Sequence, residues 1–293
     1  MDEKRVRRIV DSWRIVGSPA RPDAAQVEVF RSAVKAATRV LVMGTTPELI
    51  DLLLDKAVDR ITAVERDPDT IEAMRRLATR DWAGVELVPG DWLDPRPAWR
   101  SAFDLVLCDG GLIFLPFPDD WRAVLTVVGS YLRPGGRFVT RISSVSSSQV
   151  GFQEHYARAL AAFDSERTPL GPEQQERRFI ELLAQVRGMC RYGAIDPEGR
   201  VRLDLVDEAR RWMARDLGTR YPEFAHILQM TYGRPTLAGP DGTSIVAMPS
   251  LERVRAEMTA CGFDVEVLAS IQRAPRHFFT LSATRISRGD PTP

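Results

Sequence analysis

The chain has 293 residues, 44% of them hydrophobic and 27% charged, which suffices for one sizeable core and a covering subdomain. Forty basic residues balance forty acidic ones, so no global field favours nucleic acid, anionic lipid or a strongly charged substrate. No run approaches the roughly 20 apolar residues of a membrane helix, no apolar segment follows Met1–Arg5 as a leader requires, and Cys108, Cys190 and Cys261 stand too far apart for a disulfide framework or zinc site, so a cytoplasmic chain without metal is expected.

The segment from Arg5 to Ala36 predicts one or two helices, the second capped by Asp23 after Gly17–Pro22. Arg39-Val-Leu-Val-Met-Gly44 then reads as a buried strand, continuous in apolar residues as the middle of a parallel sheet requires. Pro47 opens a helix in which Leu49, Ile50, Leu53 and Leu54 recur at helical spacing. Arg60–Glu65 is a second strand, and Asp67-Pro68 caps and starts a helix carrying Ile71, Met74 and Ala78. Val85–Pro89 is a third strand and Phe103–Cys108 a fourth, ending at Asp109-Gly110-Gly111. Trp121, Val124, Leu125 and Val128 mark the next helix, Arg133-Pro-Gly-Gly136 stops it, and Arg137–Ile142 gives a fifth strand. Such strand–helix alternation implies a parallel sheet covered on both faces.

The pattern breaks from about Ser146 to Ala247, where strand signal fades and helical stripes take over: Phe179, Leu182, Leu183, Val186 and Cys190, then Leu205, Ala209, Trp212, Met213 and Leu217. It returns at Pro249 with a helix to Cys261 and two close strands, Gly262–Leu268 and His277–Ala283, which should pair as an antiparallel hairpin. The expected architecture is an α/β, Rossmann-like, mostly parallel sheet with a terminal antiparallel hairpin, N-terminal helices and a helical insertion forming a lid. Residues 1–38 form the cover, 39–145 and 248–285 the sheet domain, and 146–247 the insertion.

This order of elements, over Arg39–Ile142 and Ser250–Ala283, resembles the class I S-adenosylmethionine (SAM) dependent methyltransferases, and five local signatures fall in that family's order. The first is Gly44-Thr45-Thr46 after strand one, where the resemblance implies backbone approach to the nucleoside and methionine part of SAM. Only one of the usual several glycines is present, and the threonine hydroxyls would replace glycine contacts. A plain strand-to-helix turn is the other reading. The second is Glu65, followed by Arg66, at the end of strand two. A carboxylate there accepts both ribose hydroxyls, whereas the alternative is a surface acid beside Arg66. Pro89-Gly90-Asp91-Trp92 matches the acid implied for the adenine amine and its apolar neighbour, against a simple Gly-Asp turn. Asp109, before Gly110-Gly111, faces the reactive sulfonium in this family, as base, positioner or stabiliser, or else caps the next segment. Leu132–Gly136 is a helix-stop turn that supports the fold alone. A nicotinamide site needs G-x-G-x-x-G, and Gly44 is followed by Thr-Thr-Pro-Glu-Leu.

The resemblance further implies that the N-terminal cover lies over the cofactor, with Trp13 packed on it and Arg21 at its carboxylate; ordinary packing and a solvated arginine are the alternatives. The insertion suits a discrete small substrate shielded from water rather than a polymer. Its candidate polar contacts are Arg177, Arg178, Arg191, Tyr192, His226 and Tyr232, with Arg191, Tyr192 and His226 preferred because they sit beside apolar residues. His277 begins the last strand in a structural setting. The resulting expectation is a SAM-dependent methyltransferase acting on a small-molecule N-, O- or C-nucleophile, with Asp109, Tyr192 and His226 as catalytic candidates. No nucleic-acid or membrane partner is expected, and a homodimer is left open. The rivals are an enzyme of this fold that cyclises or cleaves the aminobutyrate part of SAM, and a non-catalytic SAM-binding protein.

Overall fold

In the computed structural model, seven strands form one sheet in the order β3-β2-β1-β4-β5-β9-β8. The strands are β1 (Arg39–Met43), β2 (Arg60–Glu65), β3 (Val85–Pro89), β4 (Phe103–Asp109), β5 (Leu132–Val145), β8 (Phe263–Arg273) and β9 (Arg276–Arg285). The structure describes residues 1–15, 21–34, 37–145, 152–192, 194–195, 200–232, 243–273 and 276–286. β1 to β5 pair in parallel, β9 runs antiparallel to β5, and β8 antiparallel to β9. The expected hairpin is therefore present. It is longer than its apolar runs suggested, because β8 and β9 continue along β5 past the end of β4 as far as Val145↔Arg276.

The period-two alternation of strands sorts their residues between two cores. Val40, Val42, Leu105, Leu107 and Val139 face α2 (Ala24–Ala33), α3 (Pro47–Asp55) and α4 (Pro68–Leu77), where Phe30, Leu49, Leu53 and Met74 cover them. Leu41, Met43, Val106, Cys108, Phe138 and Ile142 face the opposite core, covered by Trp121, Val124 and Val128 of α5 (Asp119–Tyr131) and by Val254 and Met258 of α10 (Leu251–Ala260). Asp23 and Gln26 close a reciprocal capping box on α2, and Asp67 accepts from the Asp69 N–H at the start of α4. Ahead of them α1 (Glu3–Ile15) lies on α4: Val6, Val10 and Ala73 share a small core, and Arg5 pairs with Asp67 at 2.5 Å.

The segment between β5 and α10 has a core of its own. It comprises α6 (Phe152–Arg167), α7 (Pro172–Tyr192), α8 (Leu203–Arg220) and α9 (Ala225–Tyr232), packed around Phe163, Phe179, Tyr221 and Phe224. Phe179 stacks on Phe224 with ring centres 4.4 Å apart. Tyr221 donates to Asp164 at 3.0 Å, and burial beside that carboxylate pushes its phenol up to about 12. The low strand signal of this region is corrected by two short strands, β6 (Arg200–Arg202) and β7 (Thr243–Ala247), which pair antiparallel. β7 packs against the 3-10 turn Gly111–Phe114 that follows β4. Since β5 also ends at the carboxyl edge of the parallel strands, both roots of the insertion lie on that edge.

Candidate functional site

Chain order fixes where an open parallel sheet takes a ligand. The connections run from β1 outward to β2 and β3, then return to β4 and β5 on the other side, so the switch point is the crevice at the carboxyl ends of β1 and β4. Gly44, Thr45, Thr46, Glu65, Asp91, Trp92, Asp109, Gly110 and Gly111 all belong to that edge, so four of the five sequence signatures meet there.

Gly44 takes a φ of 90°, a conformation that disfavours any side chain, and its N–H donates to the Val64 carbonyl at 2.8 Å. The Thr45 hydroxyl is buried without a hydrogen-bond partner, the kind of orphan a ligand satisfies. Thr46 precedes α3 without a side-chain cap bond. Glu65 is half-buried, and desolvation raises its carboxyl above the ordinary value although it accepts from the Asp67 N–H at 3.0 Å. Asp91 accepts from the Leu93 N–H at 2.9 Å and faces the exposed Arg66 at 3.5 Å.

The Trp92 indole lies across the crevice. Its Nε1–H donates to the Val64 carbonyl at 3.0 Å, the same oxygen that receives Gly44. A Cβ on Gly111 would lie 2.4 Å from the ring, and one on Gly44 3.7 Å. Gly111 must therefore be glycine to admit the indole, a role invisible in the sequence because the contact comes from the loop after β3, three places away from β4 in the sheet.

Asp109 is not a free carboxylate at this edge. It accepts from Arg141 Nε at 2.5 Å and from the second guanidinium nitrogen at 3.1 Å, and the two side chains are only 1% and 3% exposed. The Gly110 N–H also donates to the Arg141 carbonyl, at 3.1 Å. Both carboxylate oxygens are taken up by the guanidinium and shielded from solvent, so Asp109 is not held open toward an acceptor as the base role considered for it requires. Arg141 was missed; its one signal is a charged residue between Val139 and Ile142, which line the two cores of the sheet.

The N-terminal candidates reach the same neighbourhood in a different way. Arg21 pairs with Glu48, in the first turn of α3, instead of standing open for a ligand carboxylate. Trp13 packs on the core shared by α2 and α3, and its indole nitrogen is buried without a partner, as is Glu48 Oε2. His226 is exposed on α9 at 3.6 Å from Glu176, a solvated helix-face pair, and no described contact joins it to the sheet edge. Arg177 and Arg178 are exposed, the latter paired with Glu181 at 2.6 Å. Tyr192 ends α7, and its side chain, with those of Arg191, Tyr232 and His277, lies outside the described residues. Burial pushes the Cys108 thiol up to about 12, which excludes it as a nucleophile. Among the described residues no acidic, histidine and cysteine cluster is placed to hold a metal, and no helix is long and apolar enough to cross a membrane.

Comparison with known proteins agrees with this architecture. A family model described as a methyltransferase domain matches residues 30–140. No curated protein matches the chain by sequence. Among solved structures, the YcgJ protein of Bacillus subtilis aligns at a TM-score of 0.50 and 10% identity, covering 90% of this chain and 100% of that one. The PH0226 protein of Pyrococcus horikoshii OT3 aligns at 0.50 and 13% identity, covering 92% and 93%. The N-methyltransferase NodS of Bradyrhizobium japonicum WM9, solved with S-adenosylhomocysteine (SAH), aligns at 0.49 and 14%, covering 96% and 97%. The fold is thus the Rossmann-like methyltransferase fold. Residues 30–140, which the methyltransferase-domain model matches, hold β1 to β4 and most of the edge just described.

Proposed function

We propose that this chain binds SAM at the carboxyl edge of β1, β2 and β4 and transfers its methyl group to a small-molecule acceptor. The observation that carries the reading is the convergence of Thr45, Glu65 and Asp91 on the switch point of a matched methyltransferase domain. The residues fit the group: the orphaned Thr45 hydroxyl offers an unmet hydrogen bond, and Gly44 exposes backbone where a side chain would intrude. In this assignment Gly44, Thr45 and Thr46 hold the methionine part, Glu65 the ribose diol, and Asp91 the adenine amine. Bound SAM would supply a methyl group activated on a sulfonium.

The chain's own contribution is alignment and exclusion of water. Asp109 is engaged by Arg141, so it serves as part of the wall of this edge and not as a base. Catalysis then rests on proximity and orientation, and the acceptor's proton leaves late or to solvent. The insertion, rooted by β5 and β7 on this edge, serves as the lid that admits a discrete small molecule. One rival has an observation in its favour: the lone glycine and the Arg21–Glu48 pair alter the aminobutyrate end, where non-methylating use of SAM would act. Incubation with SAM and cell metabolites separates them, since methyl transfer leaves SAH and aminobutyrate cleavage leaves methylthioadenosine. Calorimetric titration with SAM and SAH that shows no binding would remove both.

A further inference from the structure

We propose that Trp92 is a gate on the switch-point crevice: its indole fills the space between Gly44 and Gly111 and must swing out before a nucleoside can enter. The proposal rests on the SAM reading above and adds a step to it. The crevice between the ends of β1 and β4 is where a doubly wound sheet takes its ligand, and the indole touches the backbone on both of its walls. At Gly111 a Cβ would meet two ring atoms at 2.4 and 2.9 Å, so ring and backbone are in direct contact.

The ring is held by packing and by a single described hydrogen bond. Its one polar contact is the 3.0 Å bond to the Val64 carbonyl, which keeps the Gly44 N–H at 2.8 Å when the indole leaves. A small space of about 10 Å³, lined by the ring together with Leu41, Met43, Val64 and Trp99, adjoins it. Release therefore strands no buried acceptor, since the Gly44 N–H remains on the Val64 carbonyl. Gly111 also begins the turn against which β7 of the insertion packs.

The test uses SAH, which binds without reacting, on the full chain with Trp92→Phe and Trp92→Ala. Stopped-flow tryptophan fluorescence and calorimetry are recorded for each. In the wild type, SAH should change the fluorescence with an observed rate that levels off as SAH increases, because opening limits entry. Trp92→Phe should keep SAH heat and lose most of the fluorescence change. Trp92→Ala should bind with a rate that rises linearly and exceeds the wild-type plateau by about 10-fold or more. Equal fluorescence change in wild type and Trp92→Phe, or equal linear rates in wild type and Trp92→Ala, overturns the gate and leaves the SAM reading standing. No SAH heat with any of the three proteins overturns both.

Discussion

Asp109 at the end of β4 and Arg141 on β5 are register partners in the parallel ladder and share two hydrogen bonds, at 2.5 and 3.1 Å, with both side chains almost fully buried. Such a pair is stable only as a pair. Asp109→Asn removes the carboxylate charge that the buried guanidinium faces and should lower stability by about 3–5 kcal/mol in urea denaturation. Replacing both residues, as Asp109→Leu with Arg141→Met, should cost far less than the sum of the single changes. Single variants within about 0.5 kcal/mol of wild type would show that the pair contributes nothing.

Glu65 supplies a pH signature. Desolvation, opposed by backbone N–H donors of Asp67 and Arg66, holds its folded pKa above the ordinary 4.5. The proton on this group thus favours the folded chain at low pH, and that contribution is lost as pH rises through the folded pKa. Ligand binding runs the other way, because the ribose diol needs the ionised carboxylate as acceptor. SAH affinity should rise with pH across the raised Glu65 titration and be flat over that range in Glu65→Gln. A wild-type profile as flat as the variant's would remove the ionised carboxylate from the site.

The insertion's separate core gives a third expectation. Phe179 is fully buried and stacked on Phe224, so Phe179→Ala should destabilise by about 3–5 kcal/mol. Because this core does not merge with those of the sheet, hydrogen exchange should quicken in α6 to α9 and stay protected in β1 to β5. Uniform loss of protection would show one cooperative unit instead.

The parallel strands were legible because burial on both faces leaves continuous apolar runs, as in Arg39–Met43, and the helix starts because Asp23, Pro47 and Asp67 carry local chemistry. Gly44, Glu65 and Asp91 were legible for the same reason: their positions follow from the ends of strands. Long-range pairings were not. Arg141 against Asp109 lies 32 residues away, and Glu48 against Arg21 27, with no pattern in either segment to announce the partner. β6 and β7 were hidden because three and five residues are too short to establish an alternation against the surrounding helical stripes. His226 looked promising beside apolar Ile227 and Leu228, which are buried, yet helical geometry turns it outward to Glu176.

The central claim is that the carboxyl edge of this sheet holds SAM through Glu65. Calorimetric titration of SAH into wild type and Glu65→Ala tests it most directly. The wild type should bind saturably at one to one, and a folded Glu65→Ala more weakly by about 1.5–3 kcal/mol, or roughly 10- to 150-fold. Equal affinity in the two proteins, or no binding by the wild type, would contradict it.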